Sequence, residues 1–406
     1  MYLFDNQCYI LTLVRILKER CTMKQNEVYK LEFPVGYYKF HKKQLYNFQL
    51  NRWHSFGFLP FDELTEVGKK ISDFKSWKTE MKKLAENSLE QNNLLKASFY
   101  YRAAEFYTFP NDNEKSLLYK TFSELFYQCF VNDNIEKVII PYEKSFLHAI
   151  RLTPSNQKCK GTILLHGGFD SFIEEFYSMI KYFAENGFEV IGFDGPGQGA
   201  ALNNFNVAFD YQWEKPIKAV LDHLKLDNIT LIGLSMGGWL SLRASAFEKR
   251  IKRVISSGGA YDYYKIPPAI ARCLMDFFNN KLKKYTNKIA KKNIEKGGMD
   301  GWKMSNLMHM TKIDVPMTAF DYAMEMNEIN LHAELIKQDV LILTSRNDHF
   351  IPFKLHDRQI KILKNANSLS DRIFTKNEQA HNHCQIGNIG LALNTMTNWI
   401  NEKIID

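Results

Sequence analysis

Cysteine is scarce and unpatterned. The chain of 406 residues has six, at positions 8, 21, 129, 159, 273 and 384, and no Cys-x-x-Cys pair or framework spacing relates them. That scatter excludes a disulfide scaffold and reads as reduced, mostly packed thiols in a cytoplasmic protein. Low-complexity tracts are missing too, which leaves a globular composition. No apolar run has the length of a membrane span. The stretch 9–17 is apolar but short, is interrupted by Arg15 and lacks a small-residue cleavage site, so a packed helix is expected ahead of a weak signal or an interfacial helix. Met23 follows closely, and the residues before it also read as an extension outside the fold. A third metal ligand at suitable spacing is absent around His381, His383, Asp348 and His349, so neither metal nor cofactor is expected.

Charge is not scarce, but it is spread out. The formal excess of +8 comes largely from dispersed lysines, with one dense run over 281–296. Leu282, Tyr285 and Ile289 recur there at helical spacing, which describes a solvated helix face and not a nucleic-acid patch.

A chain of this length needs more than one small core, so a main domain with added pieces is expected. Over 37–125 there is no strand-like alternation. Apolar residues three and four apart mark helices at 62–71, 76–86 and 94–107, the last stopped by Pro110. The many aromatics of this stretch read as core, with some free to line a pocket against the next domain. Beyond Pro141 short apolar runs alternate with glycine turns and amphipathic helices, as in a parallel α/β sheet. Strands are expected at 146–152, 161–166, 188–194, 229–234, 253–257, 339–344 and 372–375, and helices at 174–186, 213–224 and 390–404. The helical stretch 261–337 breaks that repeat and reads as an inserted lid. The organisation is then a cap module (1–140), a core in two parts (141–260 and 338–406) and a lid (261–337).

Chemistry gathers at Gly233-Leu-Ser235-Met-Gly237, where an apolar strand runs into a helix-period pattern. This is a nucleophile elbow: the turn admits only glycine two positions either side of the serine, and the helix amino end favours developing negative charge. Serine-based acyl transfer also needs an acid, a base and oxyanion donors. Asp348 follows a later strand, and His381 and His383 both follow the last one, so two histidines compete as base. The pair Gly167-Gly168 lets the chain bend after an early strand, which points to the backbone N–H groups of Phe169 and Met236 as oxyanion donors. His166 reads as a structural histidine tying loops together. The run 194–199, Asp-Gly-Pro-Gly-Gln-Gly, lacks the spacing and the following Lys-Ser/Thr of a phosphate loop, and no helix is expected to start at its last glycine. It reads as a strained turn near the nucleophile.

Several segments resemble one branch of the α/β-hydrolases. They are Leu-His-Gly-Gly-Phe-Asp-Ser (165–171), Phe-Asp-Gly-Pro-Gly-Gln-Gly (193–199), Trp-Glu-Lys-Pro (213–216), Gly-Leu-Ser-Met-Gly-Gly (233–238), Asp-His-Phe-Ile-Pro (348–352) and His-Cys-Gln (383–385). The branch contains 2,6-dihydropseudooxynicotine hydrolase, fungal polyketide-shortening hydrolases and fermentation-respiration-switch proteins. The likeness extends to Asn-Phe-Gln-Leu-Asn-Arg-Trp (47–53) and Tyr-Tyr-Arg-Ala-Ala-Glu-Phe (100–106). It implies an α/β-hydrolase fold, a mostly parallel doubly wound sheet with a helical cap over the site and a helical lid. It also implies Ser235 as nucleophile, Asp348 as acid and His383 as base. In members that cut carbon–carbon bonds an acidic side chain directly after the oxyanion glycines assists; Asp170 holds that place, shorter than the glutamate of the nicotine-pathway enzyme. Gly168 and Asp170 are accordingly expected at the substrate. The expectation is a serine hydrolase acting on an ester or a β-diketone-like carbon–carbon bond of a bulky or aromatic small molecule, with a broad carboxylesterase or peptidase as one alternative and a non-catalytic binding protein as the other. The partner expected is a small carbonyl compound, with no nucleic acid and no membrane span; a homodimer is compatible with the reading.

Overall fold

The structure, a computed structural model, describes residue 29 and residues 31–154 and 158–405. The 9–17 stretch, Met23, Cys8 and Cys21 lie outside the described residues. Eight strands form one sheet in the order β1-β2-β4-β3-β5-β6-β7-β8. They are β1 (Glu136–Tyr142), β2 (Ser145–Leu152), β3 (Thr162–His166), β4 (Glu189–Asp194), β5 (Ile229–Leu234), β6 (Ile251–Ser257), β7 (Asp339–Ser345) and β8 (Ser368–Phe374). Strands β3 to β8 pair in parallel, while β1 with β2 and β2 with β4 pair antiparallel. Every residue of β5 is buried, as a strand covered by helices on both faces must be.

The sheet begins earlier than expected. Strand β1 already runs from Glu136 with Pro141 inside it, so the helix-to-sheet change precedes 141. Proline is tolerated because β1 is an edge strand, where one row of backbone groups has no ladder to serve. Its alternating burial is one-sided, unlike the continuous apolar runs of the inner strands, which is why it was legible only as a break.

Strand order sets the place of the site. From β3 the chain steps to β4 on one side and then returns to β5 on the other, and His166 at the end of β3 stands in register with Gly233 of β5. A reversal of this kind opens a crevice beyond the carboxyl ends of the two strands, where ligands of open α/β sheets bind.

Among the described residues five helices precede the sheet: α1 (Gln44–Ser55), α2 (Phe61–Lys70), α3 (Phe74–Glu90), α4 (Leu94–Phe106) and α5 (Lys115–Cys129). Asp73 and Ser76 form a reciprocal capping box that starts α3. Their aromatics are core first: Trp53, Trp77, Phe99, Phe122 and Phe126 are fully buried. They belong to one apolar cluster with Ile163 and Leu165 of β3 and Phe176 beyond it, so the cap shares its core with the sheet. Each such side chain contributes about 1.5–3 kcal/mol of burial.

Helices α6 (Tyr177–Glu185), α7 (Gly199–Asn203), α8 (Glu214–Leu224) and α9 (Met236–Phe247) belong to the sheet repeat. The short α7 does start at Gly199, against expectation. The Asp194 carboxylate caps it by accepting from the Ala200 N–H at 2.9 Å, and a Cβ on Gly199 would fall 2.2 Å from that carboxylate. The segment between β6 and β7 holds α10 (Ala269–Lys281), α11 (Lys283–Lys296), α12 (Met299–Thr311), α13 (Pro316–Ala323) and α14 (Glu328–Leu331). No residue of α11 is buried, so the lysine run is a solvated helix. Trp302 of α12 packs on Phe106 and Tyr107 of the cap and donates to the Phe106 carbonyl at 3.1 Å. Cap and lid therefore meet above the strand ends. Helices α15 (His356–Ile362) and α16 (Ile389–Ile405) complete the chain.

Among the described residues the thiols are not mostly packed. Cys159 and Cys273 are exposed, Cys129 and Cys384 half-buried, and none of the four forms a disulfide. Cys159 lies on the approach to β3 and Cys273 on lid helix α10, where no core forms. Among the described residues no helix is long and apolar enough to cross a membrane.

Candidate active site

The bend between β5 and α9 is as tight as its glycines suggest. Ser235 sits at φ 59°, ψ −125°, a conformation that strains any L-residue. A Cβ on Gly233 would lie 2.0 Å from the Gly237 carbonyl oxygen, and one on Gly237 would lie 2.5 Å from that of Gly167. Ser235 is held by its own N–H, which donates to Ser257 O on β6 at 2.8 Å.

His383 Nε2 lies 2.7 Å from Ser235 Oγ, and His383 Nδ1 lies 2.6 Å from Asp348 Oδ2. The other Asp348 oxygen accepts from the Phe350 and Ile351 N–H groups at 2.8 and 3.0 Å, which fixes the carboxylate plane. Burial alone would lower the His383 pKa, but the adjoining Asp348 carboxylate outweighs it and raises it well above the ordinary histidine value. The loop that carries His383 is tied down on both sides: Ser257 Oγ donates to Gln385 Oε1 at 2.8 Å, and Gln385 Nε2 donates to Ser345 Oγ at 3.1 Å. Cys384 and Gln385 both take positive φ, so the His-Cys-Gln turn is wound against preference to aim the imidazole. His381 takes no part in this chain of bonds; its ring packs edge-on against Tyr37.

The loop after β3 closes on the elbow. A Cβ on Gly168 would sit 2.7 Å from Met236 N, so glycine lets the two backbones approach. Gly168 does not line the cavity, contrary to its expected place at the substrate; it is a spacer, and Phe169 and Asp170 beyond it do line the cavity. Among the described residues neither the Phe169 nor the Met236 N–H has a protein acceptor. His166 accepts at Nε2 from Trp213 Nε1 at 3.2 Å, so its proton is on Nδ1, which donates to Gly167 O at 3.0 Å. Burial lowers its pKa to about 4, which keeps it neutral and structural. Gln198 of the Gly-Pro-Gly-Gln-Gly turn donates to the carbonyls of Gly167 and Gly168 at 2.9 and 3.0 Å, so this turn braces the same loop.

The residues that sequence reasoning missed come from the cap. Arg102 Nη2 donates to Asp170 O at 2.6 Å and to Glu175 Oε2 at 2.9 Å, and Arg52 Nη2 pairs with Glu175 Oε1 at 3.2 Å. Burial would raise Glu175, but Arg102 and Arg52 hold it below its ordinary value. Asp170, at φ 57°, is pushed by burial up to about 7, with Arg52 and Arg102 pulling the other way. Both arginines lie in the segments 47–53 and 100–106 that carry the family likeness, the one signal that singled them out in the sequence. Above Ser235 a cavity of about 640 Å³ is walled by Phe48 and Phe106 of the cap, Trp302, Met304 and Leu307 of the lid, and Phe350. The arrangement pairs a hydroxyl with an imidazole and a carboxylate at the floor of an apolar chamber, with two free amides beside it.

A family model described as the alpha/beta hydrolase fold matches residues 163–306. The chain has the α/β-hydrolase fold, with helices before the sheet and helices inserted after β6. It is 32% identical over 192 residues to a hydrolase from a Fusarium species, covering 42% of this chain and 46% of that one. To a 20-hydroxy-prefusarin hydrolase from Gibberella moniliformis it is 34% identical over 192 residues, with the same coverage of 42% and 46%. The chain spans about half the length of these curated relatives. A solved 2,6-dihydroxy-pseudo-oxynicotine hydrolase superposes with a TM-score of 0.63 at 19% identity, over 88% of this chain and 95% of that one. At that identity the likeness is one of fold, and its extent includes the helical cap.

Proposed function

We propose that this protein is a serine hydrolase that cleaves an ester or a carbon–carbon bond next to a carbonyl in a bulky apolar small molecule. The observation that carries the reading is the pair of short contacts from His383, 2.7 Å to Ser235 Oγ and 2.6 Å to Asp348 Oδ2, beneath the 640 Å³ cavity. Ser235 Oγ attacks the carbonyl as His383 Nε2 takes its proton, and Asp348 holds the resulting imidazolium. The Phe169 and Met236 N–H groups receive the oxyanion. Collapse of the tetrahedral intermediate expels an alkoxide from an ester or an enolate from a β-diketone-like substrate. His383 returns the proton to an alkoxide. For an enolate, Asp170, a carboxyl whose pKa is pushed up to about 7, is a second donor, and the His383 imidazolium then passes its proton by way of solvent to the Asp170 carboxylate, which restores the neutral imidazole. Water, activated by His383, then releases the acyl group from Ser235. The hydrolase names of the Fusarium and Gibberella relatives support this reaction class. A cytoplasmic setting agrees with four described cysteines outside any disulfide.

A fluorophosphonate probe tests the nucleophile. Native protein labels at Ser235, Ser235→Ala does not, and His383→Ala abolishes labelling where His381→Ala leaves it. A folded native protein that stays unlabelled points instead to a non-catalytic binding role. Comparing turnover of activated esters with that of β-diketones separates the two bond types; Asp170→Asn is expected to slow diketone cleavage more than ester cleavage.

A further inference from the structure

The outward side of the lid carries a feature that the site does not use. On α10, Ile270, Leu274, Phe277 and Phe278 recur at helical spacing and face solvent, Ile270 with 80% and Phe277 with 54% of its surface exposed. Leu282, Tyr285 and Ile289, at and just after the turn into α11, are exposed as well. Lys281, Lys284, Lys288, Lys291 and Lys292 are exposed around them, and among the described residues none is in an ion pair; Lys283 alone in this stretch is paired, with Asp321 at 2.7 Å. The same helix α10 contributes Met275 to the wall of the cavity.

Seven exposed apolar side chains within 270–289 mark an interaction surface. Its surroundings select the occupant. A second copy of the chain across a two-fold axis would set the lysine rows against each other, because Glu295 is the only acidic residue in α11. The occupant must be apolar at its centre and anionic at its rim. We propose that α10 and the first turns of α11 dock on an anionic lipid bilayer, the apolar side chains entering the acyl boundary and the lysines reaching the headgroup phosphates. Docked in this way, α10 lies between the bilayer and the cavity, which suits an apolar ligand drawn from the membrane.

The test is flotation of the full chain with phosphatidylcholine vesicles, with and without phosphatidylglycerol, at low and high salt. Binding is expected only with the anionic lipid, weakening as salt rises. The pair Leu274→Ser/Phe277→Ser is expected to lose about a hundredfold in vesicle affinity, and Lys284→Ala/Lys288→Ala about thirtyfold. Neither pair touches the cavity, so both keep the melting temperature and fluorophosphonate labelling of the native chain. Binding that ignores lipid charge, or that survives both pairs, overturns the proposal. So does a concentration-dependent dimer lost in Leu274→Ser/Phe277→Ser, or capture of nucleic acid with no vesicle binding. Flotation does not depend on turnover, so an inactive Ser235 with intact vesicle binding would sink only the hydrolase reading.

Discussion

Replacing Arg102 by methionine tests whether the cap assembles the reaction site or merely covers it. The guanidinium is fully buried, pairs with Glu105 and Glu175, donates to the Asp170 carbonyl and lies 3.8 Å from the centre of the Phe172 ring. Methionine keeps most of the volume and none of the donors. Breaking a buried ion pair costs about 3–5 kcal/mol, because the remaining charge is left without its partner. Here each carboxylate retains a cation, Glu175 the Arg52 guanidinium at 3.2 Å and Glu105 the Lys115 ammonium at 2.6 Å, so the lower end applies. A loss of about 3 kcal/mol should lower the melting temperature by roughly 3–4 °C in a chain of this size. The second effect is on rate. Asp170 O is anchored only one residue from the Phe169 N–H, and losing one oxyanion donor costs about 10²–10³ in kcat. Thermal melting and ester turnover are measured on the same preparation, and kcat is expected to fall with little change in KM. Arg102→Lys should not rescue, since one ammonium cannot reproduce the planar fork that serves Glu175 and Asp170 at once. A melting temperature within about a degree of native, with turnover within about twofold, would refute the argument that the cap positions the oxyanion loop.

Activity should rise with pH through the folded pKa of His383, because only the neutral imidazole accepts the serine proton; that limb is expected above the ordinary histidine value, in a kcat/KM profile. Asp348→Asn removes the carboxylate that raises it, so the limb should move to lower pH and the rate fall by about 10⁴. In Gly233→Ala the new methyl meets the Gly237 carbonyl at 2.0 Å and Ser241 Oγ at 2.1 Å, with an expected loss of about 2–4 kcal/mol in urea unfolding and of fluorophosphonate labelling. Gln198→Leu strips the Gly167 and Gly168 carbonyls of their donor and should cost about 1–3 kcal/mol by the same measurement, with slower ester turnover.

The elbow was legible because everything it needs is local. A strand-length apolar run, two glycines and a helix-period pattern fall within 229–247, and neighbouring residues fix a turn of that kind whatever lies elsewhere. The inner parallel strands could be read for the same reason, as continuous apolar runs. Strand β1 could not, because an edge strand with one exposed face and an internal proline carries no such run. The choice between His381 and His383 was equally out of reach of spacing: the two differ by two positions, and only the winding of the Cys384-Gln385 turn sends one ring to Ser235 and the other to Tyr37.

Residue types and their short-range periods determined that this chain builds a parallel α/β sheet, where its sharp turn falls and which side chains are chemically able to act there. Tertiary structure decided their company. Ser235 and His383 are 148 positions apart, and Arg102 reaches an oxygen 68 positions away. Contacts over such separations depend on strand order and on how the cap lies across the strand ends, neither of which any local pattern encodes.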